Sequence, residues 1–217
     1  RFSTGYAALH HCIGFMPETH MLKPFADRYA SMRTLVEVVL AFTVGHATQI
    51  QALRQTARQA ASAQRRWPVL WAPDSSRPSA FTFKGYAAVY RPSVLGDYSR
   101  LAYDRNQPWE RDIPWFNRCT VALEVATPKQ YLIPQAWREV IARLQWNGVV
   151  LRRLEAGQSL QAQVYRIGTV QSRSTAYEGH MFHDNLDGTV HTEAIHACAG
   201  DVLVDLAQPN ARYAVET

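Results

Sequence analysis

The stretch from Pro24 to Gln64, PFADRYASMRTLVEVVLAFTVGHATQIQALRQTARQAASAQ, separates two parts of the chain that differ in pattern. Apolar or small residues recur in it at alternating steps of four and three, the spacing of one helix face. We therefore predict one long helix with a bend at Gly45–His46. Extra apolar residues widen the stripe in the first half, which should be more deeply buried, whereas the polar second half should be a partly solvated arm. The stripe consists of Phe25, Tyr29, Met32, Val36, Val39, Thr43, His46, Ile50, Leu53, Ala57 and Ala60.

From Trp67 onward the pattern changes to the alternation that is typical of strands. Residues 119–125, 160–164 and 202–206 each alternate apolar side chains with others. One short helix interrupts them between Tyr131 and Gly148, with Ile141 and Leu144 in its buried stripe and Asn147–Gly148 as its stop signal. The sequence therefore predicts an α+β chain: a strand and a long helix, followed by a mostly antiparallel β domain that carries one helix.

Composition excludes some classes of function. The chain has 217 residues, 47% of them hydrophobic and 19% charged, so a sizeable core can form. No apolar run approaches the roughly 20 residues of a membrane helix. The formal net charge is +5, but the basic residues are scattered among acids, and we predict no nucleic-acid partner. The three cysteines are far apart and form no zinc framework. Because the chain opens without a methionine, we expect it to be a fragment or a processed chain.

Glu18 is the first candidate for chemistry. It follows the apolar run Ile13–Met16, which we predict to be a buried strand ending at Pro17. One interpretation is structural: the carboxylate caps the helix that follows, or pairs with an arginine such as Arg28. The other is functional: a general base on a rigid strand end, with its basicity set by partial burial. Spacing alone leaves both open.

A histidine-rich stretch near the C-terminus, GHMFHDNLDGTVHTEAIHAC from Gly179 to Cys198, is the second candidate. On a strand His191 and Glu193 would share a face while His196 points the other way, so the side chains do not converge as one ligand set. We interpret them as solvated hairpin residues, with the turn at Asn185–Gly188. The adjacent pair His10–His11 could be functional or structural.

Three segments of the chain resemble one protein family. GYAALHHCIGFMPETHMLKPFADRY, from Gly5 to Tyr29, is similar to the end of the catalytic domain in bacterial zinc metallocarboxypeptidases, the carboxypeptidase A-like family. YLIPQAWREVIARLQWNG, from Tyr131, and AGDVLVDLAQPNARYA, from Ala199, resemble the β domain that follows it in one bacterial subgroup. The resemblance covers nearly the whole chain, and its most specific part is the ETHxLKP core.

The resemblance implies roles for individual residues. In that family a glutamate at a strand end acts as general base on the zinc-bound water, and Glu18 matches it. Tyr6 is the nearest tyrosine for a substrate-binding role. The family holds its zinc with a His-x-x-Glu pair and a later His, and no His-x-x-Glu occurs in this sequence. We therefore expect the zinc ligands and the arginines that bind the substrate carboxylate to lie upstream, and no zinc to bind this chain alone.

The resemblance also implies what the whole protein does. Residues 1–66 would be the C-terminal piece of a mixed α/β catalytic domain, and residues 67–217 a β-rich accessory domain. The full-length enzyme would hydrolyse C-terminal residues from peptide substrates in the periplasm or outside the cell, whereas this chain alone would be inactive. The alternative is a non-catalytic module, derived from such an enzyme, that binds peptide or cell-wall material.

Overall fold

The chain folds into helices and antiparallel strands that form two compact units. The computed structural model describes residues 3–21 and 23–217. Helices account for 28% and strands for 42% of the chain, which confirms the predicted α+β class with a mostly β part. Unit 1 comprises Arg1–Arg65 and Thr127–Thr217, and unit 2 comprises Arg66–Ala126. Residues 127–217 thus cluster with the N-terminal residues.

The described residues contain five helices and nine strands. The helices are α1 (Ser3–Leu9), α2 (Phe25–Gly45), α3 (Ala47–Ala63), α4 (Arg138–Trp146) and α5 (Ala211–Glu216). The strands are β1 (Arg66–Pro73), β2 (Ser79–Pro92), β3 (Ser99–Trp115), β4 (Cys119–Ala126), β5 (Gln130–Ile133), β6 (Arg152–Arg153), β7 (Gln158–Ser172), β8 (His183–Ala197) and β9 (Val202–Asp205).

The predicted long helix forms with a sharp bend. α2 and α3 meet at His46, where the helical direction changes by 79°. The His46 backbone leaves helical geometry, with φ −120° and ψ 17°, and its ring stacks on Phe42 at 4.1 Å between ring centroids. The bend predicted at Gly45–His46 is therefore confirmed. Within the described residues no single helix is long and apolar enough to cross a membrane. Only α2 and α3 taken together, as a bent pair, have the length and apolar composition of a span.

Burial along the two helices is the reverse of the prediction. No described residue of α2 is buried, and the side chain of Val36 in the middle of the stripe is 53% exposed. α3, in contrast, contributes the buried Ala61. The prediction that the first half is more deeply buried is wrong for this chain. An apolar stripe is removed from water only where another element covers it, and no element within residues 3–21 and 23–217 covers α2.

The segment Ile13–Met16 is not a strand, so this prediction is also wrong. Residues 12–20 have no regular secondary structure, and Ile13 and Phe15 are both exposed. A strand exists only where its backbone N–H and C=O groups pair with a neighbour. None of the strands of the described chain runs beside this segment, so its apolar residues have neither a ladder partner nor a core to enter.

The core of unit 1 is built around the last strand of the chain. β9 lies between β5 and β6 in one antiparallel sheet. Helix α4 buries Ile141 and Leu144, as predicted, and ends at Trp146 with Asn147 as its C-cap. Gly148 follows with φ +74°, so the predicted stop signal is confirmed. The most completely buried large side chains are Leu9, Val202, Val204 and Leu206.

Strands β7 and β8 form a long hairpin whose turn differs from the prediction. Asn185–Gly188 lies inside β8, where Gly188 pairs with Ile167, so the predicted turn is wrong. The chain reverses instead at Tyr177–His180, whose central residues Glu178 and Gly179 have φ +48° and +79°. Two positive φ angles are the requirement of a type I′ hairpin turn. The turn is therefore fixed by Glu-Gly, a pair that is less distinctive in sequence than Asn-Gly.

Unit 2 consists of two antiparallel strand pairs, β1 with β4 and β2 with β3. The buried Trp67 lies on β1. The carboxylate of Asp74, in the loop after β1, accepts hydrogen bonds from the backbone N–H and the hydroxyl of Ser76 at 3.0 and 2.5 Å. These bonds hold the pKa of Asp74 below its usual range, because they favour the charged form.

Candidate functional site

The segment that carries Glu18 begins at a helix end of defined geometry. At the end of α1 the N–H of His11 donates to the Ala8 carbonyl at 3.1 Å, and the N–H of Cys12 donates to the Ala7 carbonyl at 2.9 Å. This is a Schellman motif, in which the residue after the helix is normally glycine. Here His11 takes that place with φ +54°. The chain then runs without regular structure through Glu18 toward α2.

Glu18 itself lies at the surface. Its carboxylate is exposed and forms no hydrogen bond or ion pair with residues 3–21 or 23–217. α2 begins after Pro24 with no side-chain cap, so Glu18 does not cap it. Arg28 does not pair with Glu18 either: its guanidinium lies 5.8 Å from the centre of the Phe25 ring, and its Nε has no partner in the described part of the chain. Neither structural interpretation of Glu18 is seen. The strand end and the partial burial that the functional interpretation assumed are not seen either, because residues 12–20 form no strand and Glu18 is exposed.

Tyr6 and the two neighbouring histidines hold α1 against the C-terminal part of unit 1. The Tyr6 hydroxyl donates to Asn147 Oδ1 at 2.6 Å, and His10 Nε2 lies 3.1 Å from the same oxygen. His11 Nε2 lies 3.1 Å from the carbonyl oxygen of Pro209. In this structure Tyr6, His10 and His11 therefore make structural contacts. No hydrogen bond between described residues links Tyr6 to Glu18, and the substrate-binding role of Tyr6 stays a prediction.

Arg212 of α5 also binds α1. Its Nη1 donates to the Ala8 carbonyl at 3.1 Å, and its Nε donates to Glu216 Oε1 at 2.6 Å. The Glu216 side chain is only 2% exposed, so this ion pair is shielded from water. An ion pair in such a place is costly to break, because either charge left alone would be desolvated. The contact fixes α1, and hence the start of the Glu18 segment, on a rigid support.

Tyr6 also lines a cleft of about 770 Å³ whose walls are largely apolar. Tyr131 and Tyr213 contribute aromatic surface, and Leu9 and Val204 contribute aliphatic surface. Burial raises the pKa of the Tyr131 hydroxyl, because the phenolate would lose hydration there. Glu18 does not line this cleft. The cleft and the candidate base are therefore separate features of unit 1.

Two acidic side chains of the histidine-rich stretch are engaged with arginines. Among residues 3–21 and 23–217 no group of three or more His, Cys, Asp and Glu side chains could hold a metal ion. Arg166 Nη2 donates to Glu193 Oε2 at 2.7 Å, and this bond lowers the pKa of the Glu193 carboxyl. Arg173 Nε donates to both carboxylate oxygens of Asp184 at 2.9 Å and lowers the pKa of that carboxyl. The acids of the hairpin are thus engaged in exposed ion pairs, in agreement with their interpretation as solvated residues.

No family model, curated protein or solved structure matches the chain. The resemblance to zinc metallocarboxypeptidases therefore remains a prediction from the segments quoted above. The structure also shows one contact to the Glu18 segment that the sequence did not indicate. Arg54 of α3 is half-buried and binds the chain at His11 and Cys12. Arg54 is polar and lies next to Leu53 of the predicted stripe, so the hydrophobic periodicity gave no indication of this contact.

Proposed function

We propose that this chain is the C-terminal part of a zinc-dependent metallocarboxypeptidase that hydrolyses C-terminal residues from peptides, with Glu18 as its general base. The observation that carries the proposal is the state of the Glu18 carboxylate: it is exposed, it caps no helix and it pairs with no described cation. An exposed carboxylate without such a partner is available to accept a proton. The match of Glu18–Pro24 to the ETHxLKP core supports the same assignment.

The chemistry assigned to this chain is a proton transfer. An ionised carboxylate with free lone pairs can accept a proton from the water that attacks the peptide carbonyl and deliver it to the leaving amine. Such a group contributes about two to four orders of magnitude in rate. The described residues do not fit a zinc site, and the proposal takes no metal contact from them. Ligands for zinc would have to come from residues outside this sequence.

The test is the variant Glu18→Gln in the full-length protein that contains these residues. Release of C-terminal amino acids from peptides should fall by about 100- to 10,000-fold, because glutamine keeps the shape but cannot accept the proton. Zinc content should stay unchanged. The matched control is Glu37→Gln on α2, which removes only an exposed pair with Arg33 at 2.7 Å. Turnover of Glu18→Gln within a few fold of the Glu37→Gln control would refute the assignment.

A second candidate is a non-catalytic module that binds peptide or cell-wall material. It is favoured by one observation, the largely apolar cleft lined by Tyr6, Tyr131 and Tyr213, which Glu18 does not line. Zinc analysis of the full-length protein distinguishes the two candidates. Retention of peptide or cell-wall polysaccharide with no bound zinc and no released amino acid would support the module. One zinc per chain with chelator-sensitive release would support the enzyme.

A further inference from the structure

The path from α1 to Glu18 is held in a conformation that its own sequence does not favour. A side chain other than glycine at φ +54° is uncommon, and it persists only where surrounding contacts compensate. At His11 one such contact is the 3.1 Å approach of its ring Nε2 to the Pro209 carbonyl oxygen. The direction in which the chain leaves α1 is therefore imposed by tertiary contacts.

Arg54 supplies two more contacts at the same place. Its Nε donates to the His11 carbonyl at 3.0 Å, and its Nη2 donates to Cys12 Sγ at 3.2 Å. The two donors of one planar guanidinium thus bind two successive residues of the turn. A guanidinium presents its donors in a fixed fork, so both bonds together define an orientation as well as a position. A lysine ammonium could reach one acceptor but could not reproduce the pair.

Close packing carries this constraint two residues further. A Cβ atom at Gly14 would lie 2.9 Å from the Ala7 Cβ and 3.1 Å from the Thr4 Cα. The backbone at Gly14 therefore lies directly on α1, in a space that no side chain could share. The constraint ends four residues before Glu18.

We infer that Arg54 is a positioning residue for Glu18. This inference rests on the proposed function. It means that a residue of α3 sets the direction of the segment Cys12–Glu18. Arg54 touches neither the carboxylate nor any reacting group. It acts by fixing the His11–Cys12 turn from which the segment starts. A misplacement of about 1 Å at a catalytic group can cost about 100-fold in rate, so such an anchor affects turnover without touching substrate.

The experiment compares Arg54→Ala and Arg54→Lys with Arg58→Ala in the full-length protein. Arg58 lies one turn later on α3, and its side chain makes no hydrogen bond or ion pair with the described residues. Hydrogen exchange at the amides of His11 and Cys12, which donate to the Ala8 and Ala7 carbonyls, measures the order of this turn without reference to activity. It should become at least about tenfold faster in Arg54→Ala, intermediate in Arg54→Lys and unchanged in Arg58→Ala.

Kinetics separate positioning from general stability. In Arg54→Ala we expect kcat to fall by about 10- to 100-fold while KM is unchanged, because Arg54 bonds to His11 and Cys12, neither of which is assigned to substrate binding. Guanidinium ion added to Arg54→Ala should restore part of kcat. Unchanged hydrogen exchange in Arg54→Ala would overturn the inference. So would faster exchange with a kcat equal to that of Arg58→Ala.

Failure of the proposed function gives a different result. If Glu18→Gln keeps its turnover, the base has been assigned wrongly, whatever Arg54 does. The anchoring of the segment by Arg54 is then still decided by the hydrogen-exchange comparison, in which neither catalysis nor zinc takes part.

Discussion

The substitution Asp201→Ala should destabilise unit 1 more than any change at its surface. The Asp201 side chain is buried, and its two carboxylate oxygens accept backbone hydrogen bonds from Gln135 and Cys198, each at 2.8 Å. The residue directly precedes β9, so these bonds fix the start of the central strand and join it to the segment after β5. Removal of the carboxylate takes the acceptor away from two N–H groups that are partly shielded from water.

The magnitude follows from these two bonds. A hydrogen bond to a charged group contributes about 1.5–3 kcal/mol, so Asp201→Ala should lower the free energy of unfolding by about 3–6 kcal/mol. Asp201→Asn keeps one carbonyl acceptor and turns an NH₂ toward the other amide, so about half of that loss is expected. Since whole domains are stable by only about 5–15 kcal/mol, the alanine variant approaches the limit of folding.

Hydrogen exchange at the β9 amides, together with urea unfolding followed by circular dichroism, measures this loss. The control is Asp187→Ala, which removes an exposed carboxylate with no side-chain partner among the described residues. A loss of less than about 1 kcal/mol in Asp201→Ala would show that the freed N–H groups find other acceptors, such as water, and would refute the reasoning.

Two further predictions concern the β7–β8 hairpin. Gly179→Ala should destabilise the hairpin by about 1 kcal/mol because φ is +79° there, whereas Glu178→Asn should stabilise it. Thermal unfolding should show a lower midpoint temperature for the first variant and a higher one for the second; unchanged midpoints would contradict the turn assignment. The pKa values of Asp184 and Glu193 are lowered by hydrogen bonds from Arg173 and Arg166, so their contribution to stability is complete above the unfolded pKa of roughly 4 and is lost as the pH falls through the lower folded pKa. Side-chain NMR titration should give folded values below those of Arg173→Gln and Arg166→Gln; equal values would contradict the ion pairs.

Local signals predicted the parts of the fold that depend on neighbouring residues in sequence. The end of α4 at Asn147–Gly148 and the bend at His46 were both predictable, because helix termini and breaks are set by the few residues around them. The strands of residues 119–125, 160–164 and 202–206 followed from alternation alone. These features require no knowledge of what the element packs against.

Features that depend on distant partners were not predictable. The apolar pattern of α2 is the same whether or not another element covers it, and Ile13–Met16 has the composition of a strand but no neighbour to pair with. Glu18 could be singled out by its motif, whereas Arg54 lies more than 35 positions away and shows its role only through bonds to His11 and Cys12. Periodicity contains no information about such a contact.

The position of β9 between β5 and β6 has a consequence for folding during synthesis. Unit 2 is one continuous stretch, closed by the pairing of β1 with β4, and it can fold as soon as residue 126 has left the ribosome. The sheet of unit 1 cannot, because neither β5 nor β6 has a partner until Val202–Asp205 has been made. At about 5–20 residues per second, α1, α4 and β5 wait several seconds with the side chains that they later bury still in water. Chaperone binding to the nascent chain should therefore be concentrated in this interval.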